Sequence, residues 1–435
     1  MTSSPLDDKS AFVWIWLPGE VQPVVAGKLT KHGGQLLFNY GQSYLKSAKA
    51  ISIFDKELPL KSGVLPLPTG LNMPGCLRDA APDAWGRRVI INKQLGLKNK
   101  DKHTDELDEL TYLLASGSDR IGALDFQRSA TVYKPRALVN VSLEELMASA
   151  ERVEQGVPLS PELDHALYHG SSIGGARPKA LIDAEGRKFV AKFSSSSDLH
   201  SVVKAEFIAM RLAQLVGLNV ANVSLVKSSH KDVLLIERFD RVPATQDWQR
   251  RSMLSALTLL GLDELMARYA SYEDLTHIIR HRFTAPAVTL SELFGRIVFN
   301  ILSGNTDDHA RNHAAFWDGS NLELTPAYDI CPQGRTGNEA TQAMLISGSD
   351  RASQLASCIH AAALFFLTKT QAIELIAAQV KIIGKHWRGV CDEAGLTEVD
   401  RNLLWRRQFL NPYAFYNLTE EAKCLTVIVD NLRVN

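Results

Sequence analysis

The residues NTDDHARNHAAFW, positions 305–317, hold two adjacent aspartates, two histidines and two asparagines. A metal hydrolase could use Asp307, Asp308, His309 and His313 as ligands of a zinc or di-metal centre. A phosphotransferase could use Asp307 to receive or orient a nucleophile hydroxyl, with two further oxygen ligands for Mg²⁺. Asn312, five residues on, and Asp329, in ELTPAYDICP, meet that second need in the order D-x-x-x-x-N…D. A polar turn that only caps a helix is the third reading.

Three upstream segments bear on the choice. In YHGSSIGGARPKALI (168–182), small residues including Gly170, Ser171, Ser172, Gly174 and Gly175 precede Arg177 and Lys179. Glycine lets backbone N–H groups approach a phosphate, and nearby cations complete an anion site. The pattern is not a Walker A loop, and a hairpin tip that binds nothing stays open. In RKFVAKFS, Lys192 lies among apolar residues of an alternating strand, where an ammonium is costly without an anion. Glu206, on the next helix, could hold it as kinases do, or the lysine could snorkel to water. IERFDR (236–241) ends a strand, where backbone groups could read an adenine edge; the alternative leaves Glu237, Arg238, Asp240 and Arg241 as surface charges. Each segment is weak alone. Their order along the chain favours the phosphotransferase, whereas a hydrolase leaves the Gly-rich loop and Lys192 unused.

These residues need elements to position them. AFVWIWL and QLLFNY, with HGGQ as a turn, predict strands in the first ~110 residues. Pro82 is placed for the first turn of a helix whose stripe is Trp85, Val89 and Ile90. Helices are expected over 104–116 and 142–153, the latter with a Ser142–Glu145 capping box. ARPKALID and RKFVAKFS predict a hairpin turning at Asp183-Ala184-Glu185-Gly186. HSVVKAEFIAMRLAQLVGLNV predicts an amphipathic helix closed by Gly217, and NVSLVKS and DVLLIERF two further strands. TLSELFGRIVFNIL predicts a buried helix, boxed by Thr289 and Glu292, that delivers the chain to the 305–317 loop. Helices over 370–384 and 397–409 follow.

The chain has 435 residues, 45% hydrophobic and 22% charged, enough for two or three domain-sized units. Lys+Arg and Asp+Glu are 48 each, so no global field draws it to nucleic acid or anionic membrane. Five scattered cysteines without a CxxC fit a reducing compartment and no disulfide framework or structural zinc site. The acidic N-terminus lacks signal-peptide character, and AAALFFL (361–367) is too short to span a membrane. A soluble, cytoplasmic protein is expected.

Taken together, SSIGGARPKALI, VAKF, IERFDR and NTDDHARN with TPAYD resemble the HipA toxin kinases of bacterial type II toxin–antitoxin modules. FNYGQSYLKSAKAISIFDKELPL…AAPDAWGRR is similar to the N-terminal subdomain of that family, and the likeness spans residues ~10–400. The resemblance implies an α+β, protein-kinase-like (PI3/4-kinase-like) bilobal fold with an extra β-rich N-terminal subdomain and an all-helical C-lobe. The expected domains are 1–115 (N-terminal subdomain), 116–240 (kinase N-lobe) and 241–435 (C-lobe). It also implies ATP and Mg²⁺ as cofactors, with Asp307 catalytic and Asn312 and Asp329 binding the metal. Lys192, with Gly174, Gly175 and Lys179, would contact ATP phosphates; Glu237 and Phe239 backbone atoms would hold adenine, and His309 would brace the loop. Ser172 would be autophosphorylated, shutting the kinase off, with neighbouring Ser171 the other candidate. The implied partners are a HipB-like helix-turn-helix antitoxin dimer, operator DNA mainly through that antitoxin, and as substrate an aminoacyl-tRNA synthetase, notably glutamyl-tRNA synthetase. A silent corepressor is the alternative. There is no HRD, and Ile330-Cys331 follow Asp329, so no DFG-style flip is expected; segment 331–349 is expected to choose substrate and to be mobile without it.

Overall fold

The computed structural model of the chain describes residues 9–96, 107–136, 142–157, 175, 177–194, 198, 201–229, 231–335, 337 and 339–432. Ser171, Ser172 and Gly174 lie outside the described residues. The chain divides into two compact units: Met1–Ser196 with Lys227–Leu254 and Phe316–Ser320, and Ser197–Val226 with Ser255–Ala315 and Asn321–Asn435.

In the first unit, β1 (Ser10–Ile15), β2 (Val24–His32), β3 (Gln35–Tyr40), β4 (Val64–Leu65) and β5 (Leu124–Gln127) form an antiparallel sheet ordered β4-β3-β2-β1-β5. Period-2 burial is plain in β3, where Leu36, Phe38 and Tyr40 face inward. His32 pairs with Gln35, so Gly33-Gly34 is the two-residue turn that HGGQ predicts. α1 (Ala84–Gly96) buries Trp85, Val89 and Ile90, although Pro82 stands just ahead of the helix rather than in its first turn. The helix expected over 104–116 is described as Glu109–Ala115, capped by Asp108. α2 (Leu143–Glu154) begins with the expected Ser142–Glu145 capping box.

A second antiparallel set joins β6 (Lys179–Ala184), β7 (Arg187–Phe193) and β8 (Lys231–Glu237). The β6–β7 turn centres on Glu185 (φ 51°) and Gly186 (φ 69°), the double positive φ of a type I′ hairpin.

The second unit is mainly helical. α3 (Val202–Leu215) precedes Gly217 at φ 92°, as expected. α4 (Pro286–Ser303) starts at a proline, so Thr289 lies inside the first turn and does not cap. Glu292 instead accepts the Asn219 N–H at 3.1 Å and pairs with Arg296 at 2.8 Å. α5 (Lys369–Glu393) runs past the expected end at 384, and the helix expected over 397–409 stops at Leu404. The chain after 241 is not wholly helical: short strands occur at Arg241–Pro243, Trp248–Arg250, Ser252–Ser255, Ala314–Trp317 and Leu322–Leu324. All five cysteines are free thiols. Among the described residues no helix is long and apolar enough to cross a membrane.

Candidate active site

α4 carries the chain into the 305–317 loop through a forced exit. Gly304 caps it at φ 72°, and a Cβ there would lie 2.7 Å from the Gln408 carbonyl oxygen, so only glycine fits. The two aspartates that follow have opposite fates. Asp307 is exposed, whereas Asp308 is buried. Asp308 accepts hydrogen bonds from the Tyr272 hydroxyl and, at 2.6 Å, from the Asn300 amide, and lies 2.8 Å from His313 Nε2. Burial alone would raise the Asp308 carboxyl, but His313, Tyr272 and Asn300 overcome it and hold it below the usual range.

That network divides the hydrolase ligand set. Asp308 and His313 are consumed by inward bonds, and among the described residues no group of three or more His, Cys, Asp or Glu is gathered to hold a metal.

Asp307 behaves differently. Partial desolvation lifts its carboxyl above the usual range; His309 opposes this, and Asp329 and Asp308 add to it. Asp329 is therefore an electrostatic neighbour of Asp307. Asn312 donates its amide to the Asp307 carbonyl at 3.1 Å, which assigns the amide oxygen to the other side. The His309 N–H also bonds that carbonyl at 2.9 Å, and His309 Nδ1 is buried without a hydrogen-bond partner.

The Asp329 segment is fixed from two sides. The Tyr328 hydroxyl donates to the Arg311 carbonyl at 2.6 Å, and Ala327 exchanges backbone bonds with Asn219 and Ala221 at 2.8 and 2.9 Å. Asp329 itself sits at φ 59°, a left-handed conformation costly for a non-glycine residue. Arg296, nearly all of it buried, donates to the Asn219 and Thr325 carbonyls at 3.0 and 2.9 Å. An arginine on the apolar face of a helix pattern was the one available hint of this brace.

In segment 331–349, described except for residues 336 and 338, side-chain and backbone groups bond the 305–317 loop. Gln342 Nε2 donates to the Asn305 carbonyl at 3.0 Å, and the Ala343 N–H to that of Thr306 at 3.1 Å. Met344 and Ile346 are completely buried.

The first unit positions the candidate nucleotide-binding residues. Lys179 and Lys192 are directly opposed across the β6–β7 ladder and both buried, so their side chains leave the same face. Opposed like charges repel unless anions join them. Gly175, at φ 96°, lies so close to Lys179 that a Cβ would fall 2.2 Å from its Nζ. Gly175 is clamped by the start of α1: its N–H donates to Asp83 at 2.9 Å, its carbonyl accepts the Trp85 N–H at 3.0 Å, and Trp85 Nε1 donates to the Lys179 carbonyl at 2.9 Å. No local pattern of residues signals this clamp. Glu206 is buried on α3, in the second unit.

Glu237 ends β8, paired with Phe189, and Phe239 packs edge-on against Phe316 with centroids 6.0 Å apart. The charges between them are not on the surface. Arg238, Asp240 and Arg241 are buried, and the two arginines bond Asp119 at 3.0 and 2.7 Å and Asp240 at 2.8 Å each. Asp240 also accepts the Gly122 N–H at 2.7 Å. IERFDR is thus bolted to residues 119–122.

A family model described as the HipA-like C-terminal domain matches residues 171–387, and one for the HipA N-terminal domain matches residues 16–127. The chain is 28% identical over 243 residues to the serine/threonine-protein kinase toxin HipA of Shewanella oneidensis, covering 50% of this chain and 54% of that protein. It is 27% identical over 199 residues to the putative kinase Y4mE of Sinorhizobium fredii, covering 42% and 47%. The chain thus spans about half the length of the curated relatives it matches. A solved complex of Shewanella oneidensis HipA, HipB and operator DNA aligns at TM-score 0.67 and 20% identity over 97% of this chain and 96% of that one, which shows a shared fold.

Proposed function

The chain belongs to the HipA family, and from that premise we propose that it is a toxin kinase, transferring the γ-phosphoryl group of ATP to a serine or threonine of a protein. The observation that carries this reading is the exposed Asp307 carboxylate beside Asp329, on a loop whose neighbour Asp308 is locked inward. Asp307 receives or orients the substrate hydroxyl. The Asn312 amide oxygen and Asp329 carboxylate are hard oxygen donors that suit Mg²⁺, and crowded carboxylates favour a cation. Bound there, Mg²⁺ would neutralise phosphate charge. Lys192 and Lys179 contact ATP phosphates beside Gly174 and Gly175, the Glu237 and Phe239 backbone holds adenine, and His309 braces the loop.

Autophosphorylation of Ser172 as an off-switch, a HipB-like antitoxin dimer as partner and corepressor, operator DNA reached mainly through it, and an aminoacyl-tRNA synthetase substrate complete the proposal. They rest on family likeness, as does a cytoplasmic location. The test is intact mass spectrometry of the protein with and without Mg-ATP, beside Asp307→Ala. One added phosphate mapping to Ser172 and absent from the variant is expected. No phosphate on the protein or on an added synthetase would favour the silent corepressor.

A further inference from the structure

The second unit contains a cavity of about 910 Å³. Its lining includes Arg335, Arg406, Arg407, Tyr413 and Tyr416, with Asp400 the one carboxylate. The charges are poorly matched. Arg335 reaches the Ser353 hydroxyl only at 3.5 Å, the limit of a hydrogen bond, and its Nε and Nη1 are buried with no partner. Arg406 pairs with Asp430 at 3.3 Å, both partly exposed, whereas Arg407 makes no ion pair among the described residues. Asp400 does not compensate them, since its carboxylate accepts the Thr397 hydroxyl at 2.7 Å in a helix cap.

Arg335 is half-buried, and its two buried donors without partners carry a desolvation cost that an anion in the fork would offset. Tyr413, close enough to influence Arg335 electrostatically, adds a hydroxyl. We propose that this cavity binds a phosphate monoester, gripped by the Arg335 fork and Arg407. The volume exceeds that of a free phosphate, leaving room for the group that carries it.

The cavity adjoins the site already described. Arg335 follows Asp329 by six residues. The Gln333 N–H donates to the Gly304 carbonyl at 3.0 Å, and Gln408, in the cavity lining, packs on Gly304. A bound phosphate would therefore fix the segment leaving Asp329.

The test is calorimetric titration of the full chain with a short phosphoserine peptide, its unphosphorylated form, glycerol 3-phosphate and inorganic sulfate. Wild type, Arg335→Ala, Arg407→Ala and Asp307→Ala would be compared. Binding of the phosphorylated probes should weaken about tenfold in each arginine variant, the loss of one charge-assisted contact. It should be unchanged in Asp307→Ala, so it stands apart from the kinase reading. Preference for the peptide or for glycerol 3-phosphate identifies the source of the monoester, and either supports the site. Failure of both phosphorylated probes to bind, binding no tighter than sulfate, or equal binding by the arginine variants would overturn it. Arg407 is exposed, so its variant should fold even if Arg335→Ala does not.

Discussion

At the scale of single residues, adjacent Asp307 and Asp308 show how one loop makes two different carboxylates. Asp308 has its pKa depressed, so it contributes stability that is full above the unfolded value of about 3.9 and is lost as pH falls through the lower folded value. Asp308→Asn should cost about 2–3 kcal/mol by weakening hydrogen bonds to a charged group. Thermal unfolding near neutral pH measures it, and an unchanged midpoint would show that the Tyr272–Asn300–His313 network is not stabilising. Asp307 has the opposite sign: its raised pKa means that ionising it costs folded-state stability as pH rises through that value. A carboxyl NMR titration without nucleotide or metal should place Asp307 above about 3.9 and move it down in Asp308→Asn, which removes one like charge. A titration at or below the ordinary value would contradict the crowding of carboxylates on which the proposed Mg²⁺ site rests.

Elements are where sequence and structure diverge most usefully. Capping boxes, the Gly33-Gly34 and Glu185-Gly186 turns and the stripe of α1 follow from neighbours a few positions apart, and they are legible. The spacing of Asp307, Asn312 and Asp329 is legible for the same reason. What holds the β6 lysine and the 236–241 segment is not: Trp85 reaches Lys179 across 94 positions, and Asp240 reaches Gly122 across 118. No periodicity reports such partners, so Arg238 and Arg241 look like surface charges until Asp119 is found beside them. Breaking that buried cluster with Asp119→Ala leaves two arginines short of a counter-charge and should cost roughly 3–5 kcal/mol, read by denaturant unfolding. A loss under about 1 kcal/mol, the range of exposed pairs, would show that water screens the cluster. The clamp on Gly175 bears instead on the proposed nucleotide site. Asp83→Ala and Trp85→Phe each remove one bond that holds Gly175 against Lys179, and each should raise KM for ATP about three- to tenfold with kcat little changed. A fall in kcat at constant KM would place the clamp's effect in the transition state.

For the molecule as a whole, net charge bears on the proposed indirect route to operator DNA. With Lys+Arg and Asp+Glu at 48 each, there is no overall field to supply the counterion release that dominates non-specific DNA affinity. Several arginines of the motif segments are already used: Arg238, Arg241 and Arg296 are buried in ion pairs. If operator DNA is reached through a helix-turn-helix partner, the partner must bring the phosphate contacts. In an electrophoretic shift at about 150 mM salt, the chain alone should leave operator DNA free, and with the proposed antitoxin it should retard the DNA further than the antitoxin does. The salt dependence of the ternary complex should then match that of antitoxin and DNA, because slope counts phosphates neutralised and this chain adds few. A shift by the chain alone, or a steeper slope in its presence, would mean that a local basic surface makes direct contact despite the balanced total.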